Sequence, residues 1–136
     1  MQASLSTLLL DHNHLSLVTG STLSGLPSLS SLSMSHNLLQ LLPQGWARHC
    51  PNLTTVNLAN NMLRSLSADV WGGLIKLRHL DLSNNLIQEL PALFSFPSLE
   101  FLSLKNNKLD VISLCDFLGL PRLHTLNIQN TSLNNL

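Results

Sequence analysis

The sequence is poor in the side chains that usually fill a globular core or charge a surface. Aromatic residues make up 4 % of it, without a single tyrosine, and charged residues 10 %. Seven basic and seven acidic residues give zero formal net charge, and no Lys/Arg stripe runs along the chain. That argues against nucleic acid or an anionic membrane as the partner, because both are bound through clustered cations. No apolar run approaches the roughly 18 residues that a membrane-spanning helix needs. Met1, Gln2 and Ala3 lead straight into the periodic pattern described below, so no signal peptide is expected here. Signatures of catalysis are missing too: there is no G-x-S-x-G, no glycine-rich phosphate loop and no paired-acid spacing. No enzyme activity and no cofactor are expected.

What the chain has is leucine at fixed intervals. Leu77, Leu80, Leu82, Asn85, Ile87 and Leu90 follow L-x-x-L-x-L-x-x-N-x-L-x-x-L. A helix would repeat apolar residues every three to four positions, and a strand every two, which holds only for Leu80–Leu82. The chain must therefore bend after a few extended residues. The asparagine accounts for the bend, since its amide can bond backbone groups that have left the ladder. The same pattern begins at Leu5, Leu29, Leu53, Leu77, Leu99 and Leu123, in steps of 24, 24, 24, 22 and 24. A fixed period of this size is the mark of a solenoid.

This consensus resembles the leucine-rich repeat, with five full copies and a partial sixth over residues 1–136. The resemblance implies an α/β solenoid: a curved horseshoe with a concave parallel sheet of six short strands and a convex face of loops and short helical turns. Such a narrow core suits a chain that is 44 % hydrophobic but nearly free of rings. Stacked Asn13, Asn37, Asn61, Asn85 and Asn107 should form a buried ladder, with Thr131 replacing the last member. The segment reads as part of a longer solenoid. On the convex side, Trp71 precedes Leu74 and Phe117 precedes Leu120, with Leu23 and Leu26 equivalent in repeat one. With the 24-residue period, this resembles the typical repeat of vertebrate extracellular receptors and matrix proteins. Repeat two departs from it, with Trp46 one place early and Ala47 at the expected position. Repeat four, across 90–97, is two residues shorter and resembles the intracellular type. Pro27, Pro51, Pro97 and Pro121 fall two residues before a strand's first leucine, where they end the convex segment without removing a ladder hydrogen bond.

The two cysteines fit this frame as core residues. Cys50 stands where Leu26, Leu74 and Leu120 stand in other repeats, and Cys115 lies in repeat five. Three strand spacings put them about 15 Å apart, beyond the roughly 7 Å that a disulfide spans. Two buried free thiols are expected, and no His completes a metal set around them.

Function is sought on the concave positions between the leucines. Repeats one to three offer small residues there, such as Ser30, Ser31, Ser33, Ser35, Thr54, Thr55, Asn57 and Ala59. Repeats four and five offer Arg78, His79, Asp81, Glu100, Phe101 and Lys105 on adjacent strands, an exposed ring among charges of both signs. These six are the candidate partner-binding residues. Read as surface structure instead, Arg78–Glu100 and Asp81–Lys105 are cross-strand pairs and Phe101 covers a neighbour. Leu38, Met62 and Leu86 form an apolar strip beside the ladder, expected to be half-buried rather than an interface. His12 and His36 share one lane near His14; two such imidazoles could bind a metal or sense pH, but surface filler is the preferred reading. Asn52-Leu53-Thr54 and Asn130-Thr131-Ser132 are sequons, with Asn130 at the concave edge, and Asn52 and Asn130 would carry glycans in a secreted protein. The expected function is recognition of a protein ligand or co-receptor by the extracellular, cell-surface domain of a receptor or adhesion protein. The alternative is an intracellular, cytoplasmic scaffold or the targeting region of a larger signalling protein.

Overall fold

The computed structural model describes residues 4–91 and 95–136. Residues 1–3, at which no signal peptide is expected, and residues 92–94, within the shortened fourth repeat, lie outside the described residues. Each repeat contributes one strand of three residues: β1 (Thr7–Leu9), β2 (Ser31–Ser33), β3 (Thr55–Asn57), β4 (His79–Asp81), β5 (Phe101–Ser103) and β6 (Thr125–Asn127). They form one parallel sheet in sequence order. Leu8, Leu32, Val56, Leu80, Leu102 and Leu126 stand side by side across it. This is the solenoid that the leucine spacing implies, with the sheet on its concave face and loops and short 3₁₀ turns, Ala68–Val70 and Leu114–Phe117, on its convex face.

The strands are short because two residues interrupt them. Just before each ladder position stands a residue in the left-handed region: His12, His36, Asn60, Asn84, Asn106 and Asn130, with φ of 52–56°. Asparagine and histidine are enriched there among non-glycine residues. The ladder asparagine then bonds the turned backbone. Asn61 Nδ2 donates to Met34 O of the preceding repeat and to Leu58 O and Ala59 O of its own, while Oδ1 accepts from Leu39 N at 3.0 Å. Asn37, Asn85 and Asn107 repeat the arrangement. Asn13 bonds only its own repeat and is exposed, and Thr131 Oγ reaches only Ile128 O.

Inside runs a column of buried leucines, with Leu29, Leu32, Leu53, Leu77, Leu80, Leu99 and Leu102 fully covered. Behind it Trp46, Trp71 and Phe96 pack edge to face, with centroids 6.3 and 5.6 Å apart. Trp46 joins this stack although it stands one place early; Gly45 before it takes φ +70°, where other side chains are strained. Phe96 occupies the lane of Leu26, Cys50, Leu74 and Leu120, so a ring fills the lane of the shortened repeat. The prolines open tight turns. Leu29, Leu53, Leu99 and Leu123 N–H groups donate to the carbonyls of Leu26, Cys50, Phe96 and Leu120, which places each proline at the turn position its fixed φ suits.

Two expectations change. Cys50 is buried, its thiol donating to Leu26 O at 3.3 Å and its pKa pushed up by that burial, but Cys115 is exposed. Cys115 lies in the 3₁₀ turn Leu114–Phe117, which Ser113 and Asp116 cap, and the leucine lane is supplied by Leu120 instead. The apolar strip is half-buried at Met62 and Leu86 but exposed at Leu38. Among the described residues no helix is long and apolar enough to cross a membrane.

Candidate functional site

Side chains at equivalent positions of successive repeats line up across the sheet, so the concave face is a set of lanes one strand apart. The lane just before each strand reads Ser6, Ser30, Thr54, Arg78, Glu100, His124, and the lane opening each strand reads Thr7, Ser31, Thr55, His79, Phe101, Thr125. Four of the six predicted residues meet here. The Arg78 guanidinium grips Glu100 through Nε and Nη2, with contacts of 2.8–3.1 Å. The ring of Phe101 lies flat on that of His79, with centroids 4.2 Å and planes 9° apart. Phe101 is therefore half-buried rather than freely exposed. Thr54, Thr55, His124 and Thr125 complete the walls of a shallow depression of about 360 Å³ over these four residues.

The other two predicted residues do not join them as a pair. Asp81 stands opposite Ser103, and its Oδ1 accepts from Ser83 N at 2.9 Å and Ser83 Oγ at 2.6 Å. Lys105 is exposed one lane further along. The carboxylate turns to the nearest donors on its own chain, so the expected Asp81–Lys105 pair is not formed. Sequence reasoning also passed over Lys76, Arg122 and His124. Lys76 and Arg122 sit one place before Leu77 and Leu123, at the rim of the sheet, and His124 Nε2 lies 4.0 Å from Glu100 Oε2. Reading the residue before each first leucine as a lane of its own would have found the two cations.

Repeats one and two hold more than small polar residues. Asp11 Oδ1 accepts from Ser33 Oγ, Ser35 Oγ and Ser35 N. Partial burial pushes this carboxyl up, but those bonds and the nearby His12 outweigh it and hold it below the usual carboxylate range. His12 stacks on His36 at 4.1 Å and 12°. Parallel rings aim their nitrogens alongside one another rather than at a common point, and among the described residues no three His, Cys, Asp or Glu side chains converge on an ion.

Both sequon asparagines are exposed. Asn52 Oδ1 accepts from Lys76 Nζ at 2.7 Å. Asn130 Nδ2 donates to Asn106 Oδ1 at 2.6 Å, and Asn106 Nδ2 to Asn84 Oδ1, a second amide ladder on the surface.

The family model for the leucine rich repeat matches residues 3–63, 35–87 and 51–109, most of the chain. The chain belongs to the leucine-rich repeat family. Among solved structures, the leucine-rich repeat domain of APL1 superposes with a TM-score of 0.81 at 25 % identity, over 96 % of this chain and 33 % of that one. A leucine-rich repeat protein of Leptospira interrogans superposes with a TM-score of 0.82 at 30 % identity, with the same coverage. The chain thus spans a third of the length of each of these two solved chains. No curated protein matches it. The leucine-rich repeat is generally a protein–protein interaction fold.

Proposed function

We propose that this repeat array recognises a protein ligand or co-receptor through the concave face of repeats four and five, as part of a receptor or adhesion ectodomain. The observation that carries the surface assignment is the meeting of Arg78, His79, Glu100 and Phe101 in one depression, walled by Thr54, Thr55, His124 and Thr125. Phe101 and His79 offer a flat ring surface, and Arg78 offers a planar donor whose Nη1 hydrogens Glu100 does not use. Asp81 and Lys105 flank this centre. The extracellular placement draws on the typical-repeat resemblance of Trp71 and Phe117, and on the exposed sequons Asn52 and Asn130. In the test of the surface, Phe101→Ala and Arg78→Ala weaken partner capture by the parent protein without moving its melting temperature by more than a degree or two. Unchanged capture by both variants would remove the assignment.

One observation favours the cytoplasmic scaffold as a second reading: Cys115 is an exposed free thiol, which an oxidising compartment would tend to pair or modify. Intact mass of the parent protein from eukaryotic cells, before and after N-glycan removal, separates the two. A mass loss at Asn52 or Asn130 supports the ectodomain, while bare asparagines with a reduced Cys115 support the scaffold.

A further inference from the structure

Beside the ring-lined depression lies a second, of about 320 Å³, lined by Thr54, Lys76, Arg78, Ser98, Glu100 and Arg122. The Arg78–Glu100 pair forms the wall between the two. The chain as a whole is neutral, yet three of its seven basic residues and one of its seven acidic residues face this one hollow. The single acid is already committed to Arg78. Among the described residues, Lys76 has only the neutral Asn52 amide as a partner, and Arg122 has no hydrogen bond or ion pair. The hydroxyls that line the hollow are turned to the backbone: Thr54 Oγ donates to Ser30 O and Ser98 Oγ to Ile75 O. The free donors of the hollow are therefore cationic, and two positive charges stand uncompensated on either side of a neutral pair.

From this we infer that the rim of repeats four to six is a docking site for an acidic protein segment, which sets a carboxylate between Lys76 and Arg122 and an apolar or aromatic side chain on the Phe101–His79 stack. The inference deepens the proposed use of this face and rests on it. Charge complementarity selects the acidic residue, and the adjoining rings select an apolar neighbour. A polyanion such as a sulfated polysaccharide or nucleic acid fits less well, because it needs cations repeated along a track. Here the rim lane continues as Asn52, Ser28 and Ser4 towards repeat one, and the cations stop. Two cations beside a ring surface match one or two carboxylates, not a chain of them.

The test is a selection from a random heptapeptide phage library on the immobilised full chain, run in parallel on Lys76→Gln/Arg122→Gln, Lys76→Glu/Arg122→Glu and Phe101→Ala. Both cations are exposed, so these variants keep the fold, which a melting curve checks. The parent chain should enrich peptides with Asp or Glu one to three places from an aromatic or large aliphatic residue. Such a synthetic peptide should bind the glutamine double variant at least tenfold more weakly, and the glutamate double variant should enrich Lys or Arg instead. Peptides that need Phe101 but carry no acidic bias would overturn this inference while leaving the use of the concave face intact. Selection unaffected by Phe101→Ala, or none at all, would remove both. Heparin binding tighter than that of the acidic peptide, and lost in the glutamine double variant, would overturn the protein-segment assignment in favour of a polyanion.

Discussion

Repeats one and two and repeats four and five each place a stacked ring pair and a carboxylate on the concave side: His12 on His36 with Asp11, and His79 on Phe101 with Glu100. The two groups are built differently. Asp11 takes its bonds from the Ser35 main chain and from two buried hydroxyls of the next repeat. His12 and His36 occupy the left-handed lane, where the backbone turn dictates the residue type. Glu100 instead takes its bonds from an exposed guanidinium, and His79 and Phe101 stand on the strands themselves. Removing Asp11 takes the acceptor from two buried hydroxyls and a backbone N–H, whereas Arg78 and Glu100 can be rehydrated or exchanged for a partner's groups. Polar residues on one sheet face are therefore scaffold or surface according to whether their partners are buried.

The largest expected effect erases the difference between the regions. Leu32→Ala and Leu102→Ala should each destabilise by about 2–5 kcal/mol, because the two leucines fill equivalent, fully covered positions. Denaturant melts giving clearly unequal losses would show that the two ends of the solenoid are not packed alike. Asn61→Ala comes next. It strands Leu39 N–H and several carbonyls, at about 1–3 kcal/mol for each group left dry. Asn13→Ala, at the exposed end of the ladder, should change little.

The contrast itself is sharpened by Asp11→Ala against Arg78→Ala. The first should cost about 1–2 kcal/mol through the stranded serine hydroxyls, and the second about 0–1 kcal/mol as an exposed ion pair. Equal losses would break the distinction between scaffold and surface. Asp11 also carries a pH signature. Its folded pKa lies below the unfolded one, so its contribution is full above the ordinary carboxylate range near 4 and lost as pH falls through the folded value. The wild-type melting temperature should therefore drop more than that of Asp11→Asn between pH 5 and pH 2, a difference that thermal scans would register. Phe101→Ala removes a half-buried ring from the His79 stack and should cost little stability, its main effect appearing in partner capture.

Much of this architecture was legible in the leucines. Their spacing located the six strands, the register that aligns Leu8 to Leu126, and the asparagine ladder, because each follows from a repeated local pattern. Side-chain partnerships were harder. The Arg78–Glu100 pair was readable from lane order, but Asp81 was assigned to Lys105 when a donor two residues away on its own chain was nearer. Cys115 was placed inside because it falls in a repeat, whereas the capped 3₁₀ turn leaves it exposed. His12 and His36 looked like filler, although their alignment with Asn60, Asn84, Asn106 and Asn130 marks a left-handed lane. Lys76 and Arg122 lie 46 residues apart in sequence and share a hollow only once the repeats are stacked.

Partners should dock on repeats four and five, while the concave side of repeats one and two serves the scaffold. A photoreactive phenylalanine analogue in place of Phe101, and separately in place of Ser31 in the same lane, would test it in the parent protein in its own cells. A covalent partner adduct is expected from position 101 and none from position 31. An adduct from position 31 with none from position 101 would contradict it.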